Sequence, residues 1–293
     1  MKRCAYLVMD DQGDYVTDYD VSFDAMTELG WRVDCVPWRD PTVDWDGFDA
    51  VYICTPWDYI NDPALFLQVL ETIDASQAIL INPLPLVHWS LAKNYLRDLE
   101  NKGGSIVPSV WFEDFDAGDI PGWFDSLGSD KVVIKPAVGA NALDTFVLSQ
   151  PVAPQVVGEL ERAFSNRAFF VQPFMTNIQS EGEYSLFYFN GEYSHAILKT
   201  PRLGDFRSQE EHGADIKSVV ATPEQAAAAE GILALVEPRP TYVRVDLVRD
   251  DNDDYRLMEL ELIEPSLYLR TDAGSAARFA RAFDATFREL RGD

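Results

Sequence analysis

The chain has 293 residues, of which 47% are apolar and 25% charged, values that are ordinary for a globular protein able to bury a sizeable core. Its 49 acidic and 24 basic residues give a formal net charge of −25, so it lacks the basic footprint of nucleic-acid and membrane-surface binders. We therefore expect no nucleic-acid and no membrane partner. Cys4, Cys35 and Cys54 have neither disulfide-framework nor zinc-site spacing, and they predict buried free thiols in a reducing cytoplasm.

The first 88 residues alternate short apolar runs with helical patterns. Strands are predicted over 4–9, 31–37, 50–54 and 78–81, and helices over 19–29 and 63–73. This alternation indicates an open α/β sheet, without the glycine-rich fingerprint of a dinucleotide site. The loop 55–59 leaves the carboxyl end of a strand, where open sheets place ligands, and core packing is the alternative role of its aromatic residues.

Two lysines occupy positions that are costly for a cation unless an anion is close. A helix is predicted over 90–99 with Ser90 as its N-cap, which places Lys93 in the first turn, against the helix dipole. Lys135 lies in the apolar strand 131–136, and the small-residue loop 137–142 that follows can bring backbone N–H groups to a phosphate. Solvent exposure is the alternative for both lysines.

The middle of the chain predicts further strands, a hairpin and a long polar loop. Strands are predicted over 108–112, 145–148 and 168–174, and helices over 154–164, 223–236 and 273–290. The dipeptide Asn190-Gly191 predicts a tight turn between strands 181–189 and 192–198. The loop 199–213 has a length that usually signals a functional or a disordered segment.

The stretch 241–265 predicts an acidic hairpin. Alternation places Arg244 and Asp246 on one face of the first strand, and Glu259 and Glu261 on one face of the second. If the strands pair, Asp246, Glu259 and Glu261 share a face, and their mutual repulsion is costly unless a cation lies between them. Oxygen ligands on a rigid sheet suit Mg²⁺, and a solvated edge hairpin is the alternative interpretation.

Taken in this order, the features resemble the ATP-grasp ligases, and within them the glutathione-synthetase-like group that includes the cycloserine-forming O-ureidoserine cyclo-ligase. The resemblance covers nearly the whole chain and is carried by several segments: Thr55-Pro-Trp-Asp-Tyr59, Asn82-Pro83, Lys93 with Tyr95-Leu96, Val133-Ile-Lys-Pro136, Gly204-Asp-Phe-Arg207 and Glu261-Leu-Ile-Glu-Pro265. It implies a fold with α/β and α+β parts. An open α/β (pre-ATP-grasp) domain over 1–88 would precede a two-part ATP-grasp fold, with a small lid subdomain over 89–174 and a C-terminal subdomain over 175–293 that holds the metal and substrate site.

The resemblance also implies roles for individual residues. It implies that ATP is held by Lys93, Lys135, Gln172, Pro173, Phe174, Glu183 and Lys199. It implies that Mg²⁺, as two ions with Mn²⁺ as a substitute, is bound by Asp246, Glu259 and Glu261, and that the substrate or the transferred phosphoryl group is met by Arg202, Arg207 and Arg244. Family members commonly have asparagine at the position of Glu261, so a register that pairs Glu261 with Glu264 stays open. A homodimer is a further expectation.

The implied activity is ATP-dependent joining of a carboxylate to an amine on a small, amino-acid-like substrate. Phosphorylation would convert the carboxylate to an acyl phosphate, and loop 200–214 would act as a lid that protects this intermediate from water. An intramolecular cyclo-ligase and a peptide-modifying ligase of natural-product biosynthesis are alternatives within the class. Outside it, a non-catalytic nucleotide-binding protein and an acidic sugar- or amino-acid-binding protein stay open.

Overall fold

The N-terminal part of the chain forms a parallel sheet in the computed structural model, which describes residues 1–139 and 143–292. The sheet has the strand order β2-β1-β3-β4, with β1 Lys2–Val8, β2 Trp31–Pro37, β3 Ala50–Thr55 and β4 Ile79–Ile81. Helix α1, Phe23–Glu28, connects β1 to β2, and helix α2, Pro63–Asp74, connects β3 to β4. The predicted open α/β sheet is confirmed. The prediction that all three thiols are buried was wrong, because Cys35 lies on the edge strand β2 and is exposed.

The connection from the first sheet to the second differs from the predicted single helix over 90–99. It consists of two short helices, α3 Leu84–Ser90 and α4 Tyr95–Asn101. Ser90 is therefore not an N-cap: it ends α3, and its hydroxyl donates to the carbonyl oxygen of Leu86 at 2.9 Å. Lys93 lies in the break between the helices, not in a first turn, because its backbone N–H donates to the carbonyl of Ala137 at 2.7 Å. This bond holds Lys93 against the loop after the 131–136 strand.

The second sheet is antiparallel and carries Lys135. Its strand order is β5-β8-β6-β7, with β5 Val110–Phe112, β6 Lys131–Pro136, β7 Phe146–Ser149 and β8 Phe169–Pro173. Helices α5, Ile120–Leu127, and α6, Pro154–Phe164, pack their apolar side chains on it. Helix α5 was not predicted. Residues 140–142 of the predicted small-residue loop 137–142 lie outside the described residues.

The third sheet is antiparallel and contains the acidic hairpin. Its strand order is β11-β10-β9-β12-β13, with β9 Glu183–Phe189, β10 Glu192–Thr200, β11 Asp215–Val219, β12 Tyr242–Arg249 and β13 Tyr255–Glu261. Helix α7, Asn177–Ser180, precedes β9, helix α8, Pro223–Leu233, connects β11 to β12, and helix α9, Ser275–Arg291, follows β13. Asn190 and Gly191 both have positive φ, 51° and 83°, as the predicted tight turn requires. In the described parts of the chain, no helix has the length and apolar character needed to cross a membrane.

Two buried side chains fix the third sheet to the first. The Asn82 amide, just after β4, donates to the carbonyl oxygens of Leu262 at 2.7 Å and Tyr242 at 2.9 Å, and its oxygen accepts from the N–H of Thr241 at 2.7 Å. The Tyr242 hydroxyl donates to the carbonyl of Ile263 at 2.8 Å and lies 3.3 Å from the carbonyl oxygen of Ile81 on β4. These bonds satisfy buried backbone groups where the two sheets meet. They hold the segment that follows the acidic strand in a defined position.

A neutral histidine in this core predicts that the native state loses stability at acidic pH. His195 on β10 is 4% exposed, stacks on Phe187 with ring centroids 4.3 Å apart, and lies with Nε2 3.0 Å from the carbonyl oxygen of Leu267. Burial lowers its pKa to about 4, whereas an unfolded histidine titrates near pH 6.5. The unfolded state therefore gains a proton first as the pH falls, and between pH 6.5 and pH 4 this gain destabilises the native state.

We expect this single group to remove about 2 kcal/mol of the free energy of unfolding between pH 8 and pH 5. The measurement compares urea denaturation of the parent and of His195→Gln at both pH values. The variant is expected to be less stable at pH 8 and to lose less stability at pH 5. Equal losses in both proteins would mean that another group titrates.

Candidate active site

A cleft with a cavity volume of ≈ 210 Å³ is lined by residues of the second and third sheets and by the segment that follows β3 of the first sheet. Every predicted site residue except Arg202 lies along it. Arg202 is an exposed residue of the loop after β10, outside the cleft lining. The structure thus brings residues spread over positions 93 to 261 to one cleft.

Three carboxylates of the acidic hairpin converge on one point of the cleft. Strand β12 pairs with β13 so that Asp246 lies opposite Glu259 and Arg244 opposite Glu261, which confirms the predicted hairpin. One carboxylate oxygen from each of Asp246, Glu259 and Glu261 lies within 4.8 Å of the other two. Three hard oxygen donors at this spacing fit a Mg²⁺ ion, whereas Glu264 is not part of the cluster.

Cationic side chains neutralise these carboxylates in the structure. Arg244 donates to Asp246 at 2.9 Å from Nη2 and at 3.0 Å from Nε, and it also contacts Glu261. Lys93 Nζ lies 2.6 Å from Oε1 of Glu259 and 2.9 Å from the carbonyl oxygen of Gly139. The oxygens that suit a metal are thus the oxygens that hold these two cations in place.

The pKa values of the three carboxyl groups are shifted in different directions. Burial opposes ionisation of Asp246 and Glu259, but Arg244 and Lys93 outweigh it and lower the pKa of the two carboxyl groups. Burial raises the pKa of Glu261 to about 8 despite the opposing effect of Arg244, and the charges of Glu259 and Asp246 raise it further. A third negative charge in the cluster is therefore unfavourable unless a further cation is added, and a metal ion would supply that charge.

A second ion pair borders the cluster. Lys199 forms a salt bridge with Glu183, and its Nζ lies 3.4 Å from Oδ2 of Asp246. Burial opposes protonation of Lys199, but the charges of Asp246 and Glu183 raise its pKa above the ordinary value. Ser208, in the predicted lid loop, donates to Glu183 at 3.1 Å. This hydrogen bond ties the lid loop to the floor of the cleft.

Lys135 differs from the other cleft lysines because it forms no salt bridge within the described residues. Its Nζ lies 3.3 Å from Sδ of Met258 and 6.0 Å from the ring centroid of Phe170. Burial lowers the pKa of its ammonium group. An anionic ligand group beside Lys135 would offset this cost of burying a charge.

The segment Gln172–Phe174 ends strand β8 at the cleft wall. The Gln172 amide donates to the hydroxyl of Ser109 at 3.0 Å, and the backbone N–H of Phe174 donates to the carbonyl of Lys131 at 2.9 Å. Lys131 also lies over the Phe174 ring, with Nζ 3.5 Å from the centroid. The N–H of Phe174 is therefore already used within the protein, so its ring and carbonyl are the parts that can face a ligand.

The two predicted loop arginines have different surroundings. Arg207 lines the cleft and forms a two-point interaction with Asp205, with Nη2 2.7 Å from Oδ2 and Nε 3.1 Å from Oδ1. The structure thus brings Arg207 to the site but not Arg202.

The structure adds aromatic residues that the sequence did not place in the site. Trp57 and Tyr59 line the cleft, and Trp57 Nε1 donates to the backbone carbonyl of Glu264 at 2.9 Å. Tyr268 also lines it, with an unusual left-handed backbone (φ 47°) for a bulky residue. The position of loop 55–59 at the end of a strand was a signal for the first two, whereas no sequence pattern pointed to Tyr268.

Comparison with known proteins identifies the class of enzyme. A family model described as the N-terminal domain of the D-cycloserine synthetase DcsG matches residues 4–82. The cycloserine biosynthesis protein DcsG of Streptomyces lavendulae is 33% identical over 285 residues, which cover 90% of this chain and 93% of the relative. This chain belongs to the ATP-grasp ligases. It is an ATP-dependent carboxylate–amine ligase, a class that uses ATP and Mg²⁺.

Solved structures agree with this membership. The crystal structure of the D-cycloserine synthetase DcsG has a TM-score of 0.87 and 28% identity, and the match covers 97% of this ligase and 99% of that chain. The ATP-grasp ligase PsnB, in complex with a precursor peptide and AMPPNP, has a TM-score of 0.67 at 13% identity, with 98% of each chain covered. The PsnB likeness shows the fold alone.

Proposed function

We propose that this ligase is an intramolecular cyclo-ligase that closes a small ring on an amino-acid-derived substrate, with cycloserine formation as the favoured reaction. The observation that carries the proposal is the 33% identity to DcsG over 90% of the chain. The alternative of a peptide-modifying ligase has only the fold likeness to PsnB behind it.

The reaction would run in two steps on a single substrate. Transfer of the γ-phosphoryl group of ATP to the substrate carboxylate gives an acyl phosphate, which has a good leaving group. A nitrogen of the same molecule then attacks the acyl carbon and releases phosphate. With O-ureidoserine this ring closure leaves the carbamoyl group on the ring nitrogen, and hydrolysis of that group to CO2 and ammonia gives cycloserine. Arg244 is the first candidate to stabilise the oxyanion and Arg207 the second, because both line the cleft beside the acidic cluster or lid loop. Ser208, through its bond to Glu183, would keep the lid loop over the site.

The predicted ligand roles are retained as proposals. Lys93 and Lys135 would hold ATP phosphates, Lys199 and Glu183 would border them, and the segment Gln172–Phe174 would contact adenine. Asp246, Glu259 and Glu261 would bind Mg²⁺, which when bound offsets charge on the phosphoryl oxygens. The 4.8 Å cluster of these three residues supports this ligand set over a register with Glu264. Two metal ions, substitution by Mn²⁺, a homodimer, the cytoplasmic location and the three domain ranges stay predictions.

The test is product analysis after incubation with ATP, Mg²⁺ and each enantiomer of O-ureidoserine. We expect ADP release together with cycloserine, identified by mass spectrometry, from one enantiomer. Pairs of free amino acids serve as the intermolecular control and should give no dipeptide. A dipeptide product without cycloserine would replace the cyclo-ligase proposal by an intermolecular ligase.

A further inference from the structure

Within the described residues Glu264 forms no salt bridge, whereas the other non-exposed carboxylates of the cleft each have a cationic partner. The pairs are Glu183 with Lys199, Asp246 with Arg244 and Lys199, Glu259 with Lys93, and Glu261 with Arg244. No salt bridge to Glu264 occurs within residues 1–139 and 143–292, although this half-buried side chain lines the cleft. A poorly hydrated carboxylate without a cationic partner is costly, and a positively charged ligand group would offset the cost.

Neighbouring side chains hold Glu264 in a defined position. Trp57 Nε1 donates to its backbone carbonyl at 2.9 Å, and the Tyr242 hydroxyl holds the carbonyl of the preceding Ile263 at 2.8 Å. The Tyr59 hydroxyl interacts with the Glu264 carboxyl group, and Tyr59 itself is only 5% exposed. The backbone and side chain of Glu264 are therefore held by Trp57 and Tyr59, in the segment after β3, and by Tyr242 on β12 through the preceding residue.

The chemistry of this position favours an organic ammonium group over a metal ion. A metal needs several oxygen ligands, and the cluster that offers them within the described residues contains Asp246, Glu259 and Glu261 without Glu264. Glu264 instead combines one carboxylate with the aromatic side chains of Trp57 and Tyr59 along the same cleft wall. A carboxylate beside aromatic rings is a typical environment for an amine cation.

We propose that Glu264, positioned by Tyr59 and Trp57, binds the non-reacting ammonium group of the substrate and thereby selects α-amino acids. This inference rests on the proposed function in one respect, since it takes the substrate to be derived from an amino acid. Arg244 Nη1 lies 3.4 Å from the carbonyl oxygen of Ser266, in the same short segment as Glu264. An ammonium group at Glu264 would thus leave the adjacent carboxylate of an α-amino acid close to Arg244, where it can be phosphorylated.

The first test does not require turnover. Binding of serine and of glycerate, which differ in an ammonium and a hydroxyl group, is measured by calorimetry for both enantiomers with AMPPNP and Mg²⁺ present. We expect the parent to bind one serine enantiomer at least ~10-fold more tightly than the matching glycerate, and Glu264→Gln to reduce this ratio below ~3-fold. Absence of serine binding, equal binding of both compounds, or an unchanged ratio in the variant would each refute the ammonium site. A failure to form cycloserine would refute the cyclo-ligase proposal alone.

The second test uses steady-state kinetics with the O-ureidoserine enantiomer that the parent turns over. Glu264→Gln should raise KM for this substrate ~10- to 100-fold and leave KM for ATP within ~2-fold. Glu100→Gln, an exposed isosteric change on α4, controls for the general loss of a negative charge. Tyr59→Phe, which keeps the carboxylate but removes the hydroxyl beside it, should raise the substrate KM by a smaller factor. Loss of Mn²⁺ binding in Glu264→Gln would reassign the residue to the metal and overturn the proposal.

Discussion

Replacement of Lys135 by methionine should weaken the binding of AMPPNP by roughly 10- to 100-fold, the loss expected for one charge-assisted hydrogen bond. Lys135 is the cleft lysine without a salt bridge in the described chain, and burial lowers the pKa of its ammonium group. An unpaired cation of this kind gains most from a phosphate, because no internal partner has to be given up. Methionine keeps the apolar stem that packs near Met258 and Phe170 and removes only the charge.

Calorimetry with and without Mg²⁺ measures this loss, and thermal unfolding provides the control for the fold. Because the variant no longer buries an unpaired charge, its melting temperature should equal or exceed that of the parent. Lys217→Met is the matched comparison, since Lys217 lies exposed on β11 with Asp215 2.7 Å away. Unchanged nucleotide affinity in Lys135→Met would show that the ATP phosphates bind elsewhere in the cleft.

The acidic hairpin was predictable because its determinants are local. A period of two along each strand fixes which side chains share a face, and a polar turn joins the strands, so the common face of Asp246, Glu259 and Glu261 followed from the sequence. The register that places Asp246 opposite Glu259 did not, because it shifts between Asp246 and Leu247. The tight turn at Asn190-Gly191 was predictable because its determinants are local too. Both features depend on a few neighbouring residues and on little else in the fold.

Features set by contacts between distant segments were not predictable in this way. The break at Lys93 depends on a hydrogen bond to Ala137, 44 positions along the printed sequence, and a helical pattern cannot reveal it. Strand β11 is mostly exposed and has no apolar alternation, so only its pairing with β10 defines it. The isolation of Glu264 could not be inferred either, because it depends on which cations reach which carboxylates in three dimensions.

Glu259→Gln should lower Mg²⁺-dependent turnover by roughly 10²- to 10³-fold, through the loss of charge stabilisation at the phosphoryl group. Glu259 contributes one of the three clustered carboxylates and is held by Lys93 at 2.6 Å. Glutamine keeps the size of the side chain but removes the negative charge that a metal needs. Glu192→Gln, at the exposed start of β10, is the control for the same chemical change outside the cleft. Turnover close to the parent value would remove Glu259 from the metal site.

A measurement of metal binding in the absence of turnover tests the metal site more directly than the loss of activity does. Lys93 and Arg244 pair with the cluster carboxylates, so Mn²⁺ must compete with both cations when no nucleotide is bound. Nucleotide phosphates offer these cations other anions, so Mn²⁺ should bind the parent more tightly with ADP than without it. Electron paramagnetic resonance of free Mn²⁺ measures both affinities. Lys93→Met should bind Mn²⁺ more tightly than the parent when nucleotide is absent, whereas Glu259→Gln should bind it weakly in both conditions. Equal Mn²⁺ affinity of the parent with and without ADP would show that the two cations do not compete with the metal.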